Sequence, residues 1–310
     1  MNLCFVGYGS IAEEHARAFR ALGGTTFHTV VGRVPESTEA FAREHGFGRW
    51  TLDLDEALAD PAIEAVVITS PSALHAPQAQ AALVAGKHVL VEIPLAMSEA
   101  ETVALRDLAE ERGRVLMVCH TQRYFPELRE LRRRIAAGEF HPHHVVCRWF
   151  FLRRANVNWK GRQRSWTDNL LWHHACHVVD AVLWLLDERE PRAIAGQFGP
   201  PHPELGIPLD LDLHFLAGSV PVQIAMSYNS PWSLHDYCFI GQETTLVYSG
   251  SALRDQHGIL YQASERRPIQ AQNAAFLRAV REGSAPEVGA AEVLPAMRVL
   301  QAVEDRGTRA

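Results

Sequence analysis

His173 and His177 stand four residues apart in the run Ser165-Trp-Thr-Asp-Asn-Leu-Leu-Trp-His-His-Ala-Cys-His-Val-Val-Asp180. Leu170, Leu171, Val178, Val179, Val182 and Leu183 recur there at helical spacing, which predicts a helix from residue 169 with Asp168 as its N-cap. On that helix the two imidazoles lie one above the other, while His174 points about 100° away. Cys176 should face away from His177. Two stacked imidazoles on an apolar helix are costly to bury without a purpose. A neutral imidazole, with an ordinary pKa of about 6.5, can take a proton at working pH. Two alternatives stay open: a pair of hydrogen-bonded core histidines, or a zinc ion reached by His at i and i+4. The helix lacks the Glu of H-E-x-x-H and a third ligand at a telling spacing, so no metal is expected.

The segment before this helix, Arg153-Arg-Ala-Asn-Val-Asn-Trp-Lys-Gly-Arg-Gln-Arg164, is strongly basic. Charge runs are commonly solvated faces. Tryptophan and asparagine interleave with the charges here, and the run leads straight into the histidines. The favoured reading is an anion clamp whose arginine forks suit carboxylates. Arg123, Arg153, Lys160, Arg164, Trp166 and Asp168 are the candidate substrate contacts.

Other elements must position these groups. Residues 2–7 read as an apolar strand, followed by Gly7-Tyr-Gly-Ser-Ile-Ala12 and a helical pattern to residue 22. In that strand–turn–helix setting G-x-G-x-x-A is a dinucleotide signature. Gly7 allows the tight turn, Gly9 lets the backbone approach a pyrophosphate, and Ser10 and Ile11 open the helix whose N-terminus receives it. After the second strand, residues 26–31, Gly32-Arg33 stands where NAD-selective sites usually carry an acid. A glycine leaves room for a 2′-phosphate and Arg33 supplies a cation, so NADP is expected, with NAD as the alternative. A solvated loop arginine is the plainer reading of Arg33.

Strands at 65–69, 88–92 and 115–119 alternate with helices at 36–45, 54–59, 74–85 and 99–112, which implies a parallel sheet. Ligands of such sheets sit beyond the carboxyl ends of the strands. Those ends bring Thr69, Ser70, His75, Glu92 and Ile93 forward as cofactor candidates, unless their prolines merely punctuate turns. Beyond residue 123 the pattern changes. Helices at 128–137, 273–282 and 290–304 accompany strands at 145–152, 193–198, 209–216, 222–228, 237–240 and 245–248. The predicted fold is α/β, with a Rossmann domain over 1–121. A substrate-binding α+β domain on a largely antiparallel open sheet follows over 122–310.

Composition narrows the function. Apolar residues make up 47% and the net charge is −6, which argues against a general nucleic-acid binder. No apolar run reaches the roughly 18 residues needed to span a bilayer. The first residues enter a strand without a charged leader. The five cysteines form no C-x-x-C, so reduced, mostly buried thiols in a cytoplasmic protein are expected.

With Gly7-Tyr-Gly-Ser-Ile-Ala12, Thr69-Ser-Pro-Ser-Ala-Leu-His75, Gly86-Lys-His-Val-Leu-Val-Glu-Ile-Pro94 and Phe276-Leu-Arg-Ala-Val-Arg-Glu-Gly283, the chain resembles the Gfo/Idh/MocA oxidoreductase family over essentially its full length. It departs in two places. Ile93 replaces the lysine of the family's Glu-Lys-Pro, and His173 replaces the aspartate four residues before the family histidine, which His177 matches. The runs 150–177, Val91-Glu-Ile-Pro-Leu-Ala96 and His202-Pro-Glu-Leu-Gly-Ile207 resemble a branch of the family acting in protocatechuate 4,5-cleavage degradation. That resemblance implies oxidation of a cyclic hemiacetal dicarboxylate to a lactone with NADP. It also implies a small-molecule partner and a homodimer formed through the C-terminal sheet. His177 would then be the base and His173 its partner, or the reverse. A non-catalytic nucleotide-binding regulator and a zinc hydrolase are the rival readings.

Overall fold

A computed structural model describes residues 1–164, 166–167 and 170–309, and divides the chain into two compact units. The first comprises Met1–Thr121 and Arg267–Leu294. Its elements run β1 Asn2–Val6, α1 Ser10–Leu22, β2 Thr26–Val31, α2 Pro35–His45, β3 Arg49–Thr51, α3 Leu54–Leu58, β4 Ala65–Ile68, α4 His75–Val84, β5 His88–Val91, α5 Glu99–Arg112 and β6 Leu116–Val118. The strands pair in parallel in the order β3-β2-β1-β4-β5-β6. β1 and β4 are therefore neighbours at the point where the order reverses, the place where such sheets bind ligands. Runs such as Ala65-Val-Val-Ile68 are fully buried because helices cover both faces of a parallel sheet. The three-residue β3 was not legible: its ladder is set by pairing with β2, not by a pattern of its own.

The second unit comprises Gln122–Arg266 and Pro295–Ala310. It contains α6 Pro126–Ala136, β7 Pro142–Leu152, α7 Cys176–Leu185, β8 Arg192–Phe198, β9 Asp210–Ala217, β10 Val220–Ser227, β11 Asn229–Gly241, β12 Thr245–Ser249, β13 Ala252–Asp255 and β14 Gly258–Tyr261. The sheet order is β14-β13-β12-β11-β7-β10-β9-β8, ending on β15, Thr308–Arg309. Most pairs are antiparallel, while β7–β10 and β8–β15 are parallel. Alternation is clear in β9, where Leu211, Leu213, Phe215 and Ala217 are buried and Asp212 and His214 exposed.

The division differs from a contiguous second domain over 122–310. α8, Pro268–Glu282, belongs to the first unit and packs on α1, and Val118 N donates to Val288 O at 2.8 Å. The second unit resumes inside α9, Ala290–Arg306, at its internal Pro295. Local pattern marks these helices but carries no information about which sheet they cover.

In the second unit a buried ion pair roots the histidine helix. Arg123 Nε and Nη2 donate to Asp180 Oδ2 and Oδ1 at 2.8 and 2.6 Å, with both side chains almost wholly buried. Asp180 lies on α7, so this bidentate pair holds α7 to the segment that follows β6. Arg123, expected as a substrate contact, thus has its Nε and Nη2 engaged by a carboxylate of α7. Removing one partner of a buried pair costs about 3–5 kcal/mol, whereas replacing both with apolar groups is often close to neutral. Arg123→Met should therefore lower urea stability by that order. Arg123→Met/Asp180→Leu should recover most of the loss. Tryptophan fluorescence follows this well, since Trp50 alone lies in the first unit. Equal losses in the single and double variants would show that the pair does not carry this weight.

Candidate functional site

The first unit presents a phosphate-binding turn. Gly7 has φ +104°, and a Cβ there would stand 2.8 Å from Thr69 Oγ1 and 2.9 Å from Thr69 C and O. Both the dihedral and the approach of β4 exclude other residues. Gly9 caps α1 with extended backbone, and a Cβ there would meet nothing within 4 Å. No side chain caps α1, so its first amides, from Ser10 and Ile11 on, face an open cradle. These features fit a dinucleotide pyrophosphate.

Gly32 plays a different part from the one its position suggested. A Cβ there would lie 2.0 Å from Thr38 Oγ1 and 2.7 Å from Tyr8 Cε1. The absence of a side chain at Gly32 thus lets Tyr8 and Thr38 of α2 pack against the chain. Arg33 beside it is exposed.

The residues beyond β4 and β5 also sort by contact. Thr69 N bonds Val6 O at 2.8 Å, closing the turn against β1. Ser70 Oγ bonds Gln78 Oε1. His75 is buried, with Nδ1 and Nε2 each 2.8 Å from a carbonyl oxygen, of Pro94 and Ser70 respectively. Burial pushes its pKa down, the two carbonyls oppose that shift, and its ring sits between the loops of Ser70 and Pro94. Ile93 is buried at 3% exposure and can offer a ligand little but its backbone. Glu92 Oε1 lies 2.8 Å from His15 Nε2, whose Nδ1 lies 3.0 Å from Asn273 Oδ1. His15 and Asn273 were missed. A histidine on α1 carries no spacing that names partners 77 and 258 positions away.

In the second unit the histidine stretch opens with a π turn over Leu171–Ala175 before α7 begins. Such turns recur at functional sites. The looser turn keeps neighbouring side chains closer than an α-helix would. The rings of His173 and His174 meet edge to face at 4.5 Å, nearer than His173 and His177 at 6.3 Å. His174 is therefore inside the cluster, not turned away from it. The expected cap Asp168 and the expected first helical residue, Asn169, lie outside the described residues. Cys176 is a buried free thiol whose pKa burial drives well above the usual value.

Trp149 of β7 stands at the centre of this group. Its ring lies 4.8 Å from His174, 6.0 Å from His177 and stacks at 4.1 Å on His235 of β11. Burial lowers the His235 pKa to about 4. Phe151 meets His174 at 5.3 Å, and Tyr228 OH hydrogen-bonds His174 Nδ1. The basic loop folds against itself here. Arg153 Nη2 donates to Asn156 Oδ1 at 2.9 Å, and Asn156 Nδ2 donates to Trp166 O at 2.7 Å. The Arg164 guanidinium lies 5.4 Å over Trp166, which touches His173 at 6.5 Å. Lys160 is held through its amide, which bonds Asn158 Oδ1 at 2.9 Å. Arg154 turns to the carbonyls of Arg153 and Tyr228.

The electrostatics follow from this crowding. The His174 pKa is driven well below the histidine value, first by burial and then by the positive charge of His173, His177, Arg153 and Arg164. Trp149, His174, Tyr228 and His235 were not singled out from sequence. Trp149 and His235 lie on β7 and β11 and Tyr228 just after β10, where nothing in the local sequence names a partner, and the adjacency of His174 to His173 argued for opposite faces. Among the described residues, the group bringing three potential ligand atoms within 4.8 Å is His15, Glu92 and Cys119 in the first unit, not the histidine helix.

Comparison with known proteins agrees with this architecture. Residues 1–120 match the family model described as "Oxidoreductase family, NAD-binding Rossmann fold", and residues 126–264 match "Bacterial oxidoreductases, C-terminal". The chain is 34% identical over 313 aligned residues to 4-carboxy-2-hydroxymuconate-6-semialdehyde dehydrogenase of Sphingobium sp. (strain NBRC 103272 / SYK-6), covering 98% of each chain. Among solved structures it is similar in fold to KijD10, a 3-ketoreductase from Actinomadura kijaniata in complex with NADP and TDP-benzene. There the TM-score is 0.85 and the identity 18%, over 100% of this chain and 99% of that one. It is likewise similar to levoglucosan dehydrogenase in complex with NADH and L-sorbose, with TM-score 0.84 and 20% identity over 98% and 96% of the two chains. With a Rossmann unit, a mixed-sheet second unit and full-length similarity of this order, the chain belongs to the Gfo/Idh/MocA family of oxidoreductases.

Proposed function

We propose that this protein is an NADP-dependent dehydrogenase. Its substrate would be the cyclic hemiacetal of 4-carboxy-2-hydroxymuconate-6-semialdehyde and its product the lactone 2-pyrone-4,6-dicarboxylate, a step of protocatechuate 4,5-cleavage degradation. One observation carries the reading: Arg153, Arg164, His173, His174 and His177 crowd one part of the second unit, where the two guanidiniums bring fixed positive charge. That field suits a dianion, and guanidinium forks suit its carboxylates. The 34% identity to the Sphingobium enzyme supports the same substrate class.

Oxidation of a hemiacetal removes a proton from its hydroxyl and a hydride from the same carbon, leaving the lactone carbonyl. Bound nicotinamide supplies the acceptor for that hydride. In the first unit Gly7, Gly9, Ser10 and Ile11 would receive the pyrophosphate. Thr69, Ser70 and Glu92 would shape the far end of the cofactor site, with His75 positioning the loops of Ser70 and Pro94. In the second unit Arg153, Arg164, Lys160 and Trp166 would hold the carboxylates, and His177 would take the hydroxyl proton with His173 as its partner. Ile93 supplies no amine, so the imidazoles must do that work. The free cysteines, four of the five buried, fit a reducing cytoplasm. No helix of the described residues is long and apolar enough to cross a membrane. The open sheet of the second unit is the surface we assign to a homodimer.

Cofactor choice rests on Arg33 alone, since Gly32 is a packing glycine. Arg33→Ala should weaken NADP binding far more than NAD binding, measured by fluorescence titration of the full chain. Equal losses, or a wild type that prefers NAD, would remove the assignment.

A general base contributes about 10²–10⁴-fold. His177→Asn should lower kcat by that order, leave NADP affinity unchanged and abolish the ascending limb of the kcat/KM pH profile. If both His177→Asn and His173→Asn keep near-normal kcat, neither is the base.

Arg164→Met should raise KM for the dicarboxylate about tenfold or more while sparing NADP affinity, as expected on losing a charge-assisted contact. An unchanged KM would take Arg164 out of the clamp.

A further inference from the structure

Tyr228, the residue that follows β10, is fully buried and is engaged through its backbone, its ring and its hydroxyl. Its carbonyl accepts Arg153 N–H at 2.9 Å and Arg154 Nη1 at 3.1 Å. Its ring packs on Phe151 at 4.7 Å and carries the Arg153 guanidinium 5.2 Å from its centroid. Its hydroxyl bonds His174 Nδ1. A buried tyrosine places its hydroxyl on a polar partner, and here the partner is an imidazole inside the histidine cluster.

From this geometry we infer that Tyr228 is a positioning residue joining the substrate-binding arginine to the base-bearing helix: its ring sets Arg153 and its hydroxyl sets His174. The inference rests on the functional reading above for the roles of Arg153 and His177. One hydrogen bond joins the Tyr228 hydroxyl to His174 Nδ1, and it fixes the orientation of the ring. That ring is the surface on which the others settle. His173 stands edge-on to it at 4.5 Å, and Trp149 edge-on at 4.8 Å also bears on His177 at 6.0 Å. The groups facing His174 among the described residues are His173 and His177 from the helix, Arg153 and Arg164 from the loop, Trp149 and Phe151 from β7, and Tyr228 itself. Tyr228 touches with one side chain both Arg153 of the proposed clamp and His174 of the helix.

The two halves of one side chain should therefore separate in steady-state kinetics with the hemiacetal dicarboxylate and NADP. Tyr228→Phe keeps the ring and loses the hydroxyl, so kcat should fall about 10–100-fold, the cost of a small misplacement of reacting groups, with KM near wild type. Tyr228→Leu also loses the cation–π support and should raise KM several-fold in addition. Arg153→Met should raise KM with little change in kcat. In a His174→Asn background, Tyr228→Phe should have no further effect, because the partner of the hydroxyl is already gone. Circular dichroism and melting temperature identify any variant that fails to fold, and Tyr228→Phe, the least disruptive, decides the matter. If Arg153→Met raises KM while Tyr228→Phe leaves kcat unchanged, or lowers it equally in the His174→Asn background, the linking role is overturned and the functional reading stands. If Arg153→Met leaves KM unchanged, or the wild type does not turn over the hemiacetal, the functional reading falls and the inference falls with it.

Discussion

The bidentate pair of Arg123 and Asp180 is the interaction on which the second unit's chemistry depends. Two charges are taken out of water there, and each is satisfied by the other through two hydrogen bonds of 2.6–2.8 Å. Neither side chain can move without leaving its partner uncompensated in a nearly closed site. Apart from His177 and Asp180, α7 is largely apolar, with Val178, Val179, Val182 and Leu183 buried. The ion pair fixes the Asp180 face of this helix, which continues directly from the π turn at Leu171–Ala175.

What the turn presents is electrostatically expensive. Three imidazoles crowd against two guanidiniums, and burial and these neighbours push the most enclosed imidazole, His174, toward its neutral form. Aromatic rings fill the space between them: Trp149, Phe151, Trp166 and Tyr228 make edge and cation–π contacts at 4.7–6.5 Å. These contacts hold each group in place without neutralising it. A preorganised field of this kind offsets the desolvation of an incoming anion and needs little rearrangement when charge develops.

The first unit solves a simpler problem with backbone alone. At Gly7 the chain turns at positive φ where a Cβ would lie 2.8–2.9 Å from Thr69, and at Gly9 a Cβ would meet nothing within 4 Å before a helix with no side-chain cap. Buried polar residues then lock the surrounding loops. His75 spans the carbonyls of Ser70 and Pro94, and His15 links Glu92 to Asn273, so helices α1 and α8 are tied to the end of β5. These ties keep the turn rigid, and a rigid turn keeps its amides aimed.

Most of the architecture was legible in the sequence because it rests on local physics. The G-x-G-x-x-A turn, the apolar runs of β1, β2 and β4, and the alternation of β9 and β10 each follow from dihedral limits or hydrophobic period, which neighbouring residues specify. Short ladders such as β3 and β15 were not, since pairing with a distant strand decides them. At the site the same line divides what could be read. Residue type and spacing marked His173, His177 and the basic loop. Only the tertiary structure assigned Arg123 to Asp180, Gly32 to packing under Tyr8 and Thr38, and His174 to the hydroxyl of Tyr228, 54 residues on. A sequence states which charges and hydrogen-bonding groups the chain carries. Which of them neutralise one another, and which are left for a ligand, depends on partners brought together by the fold.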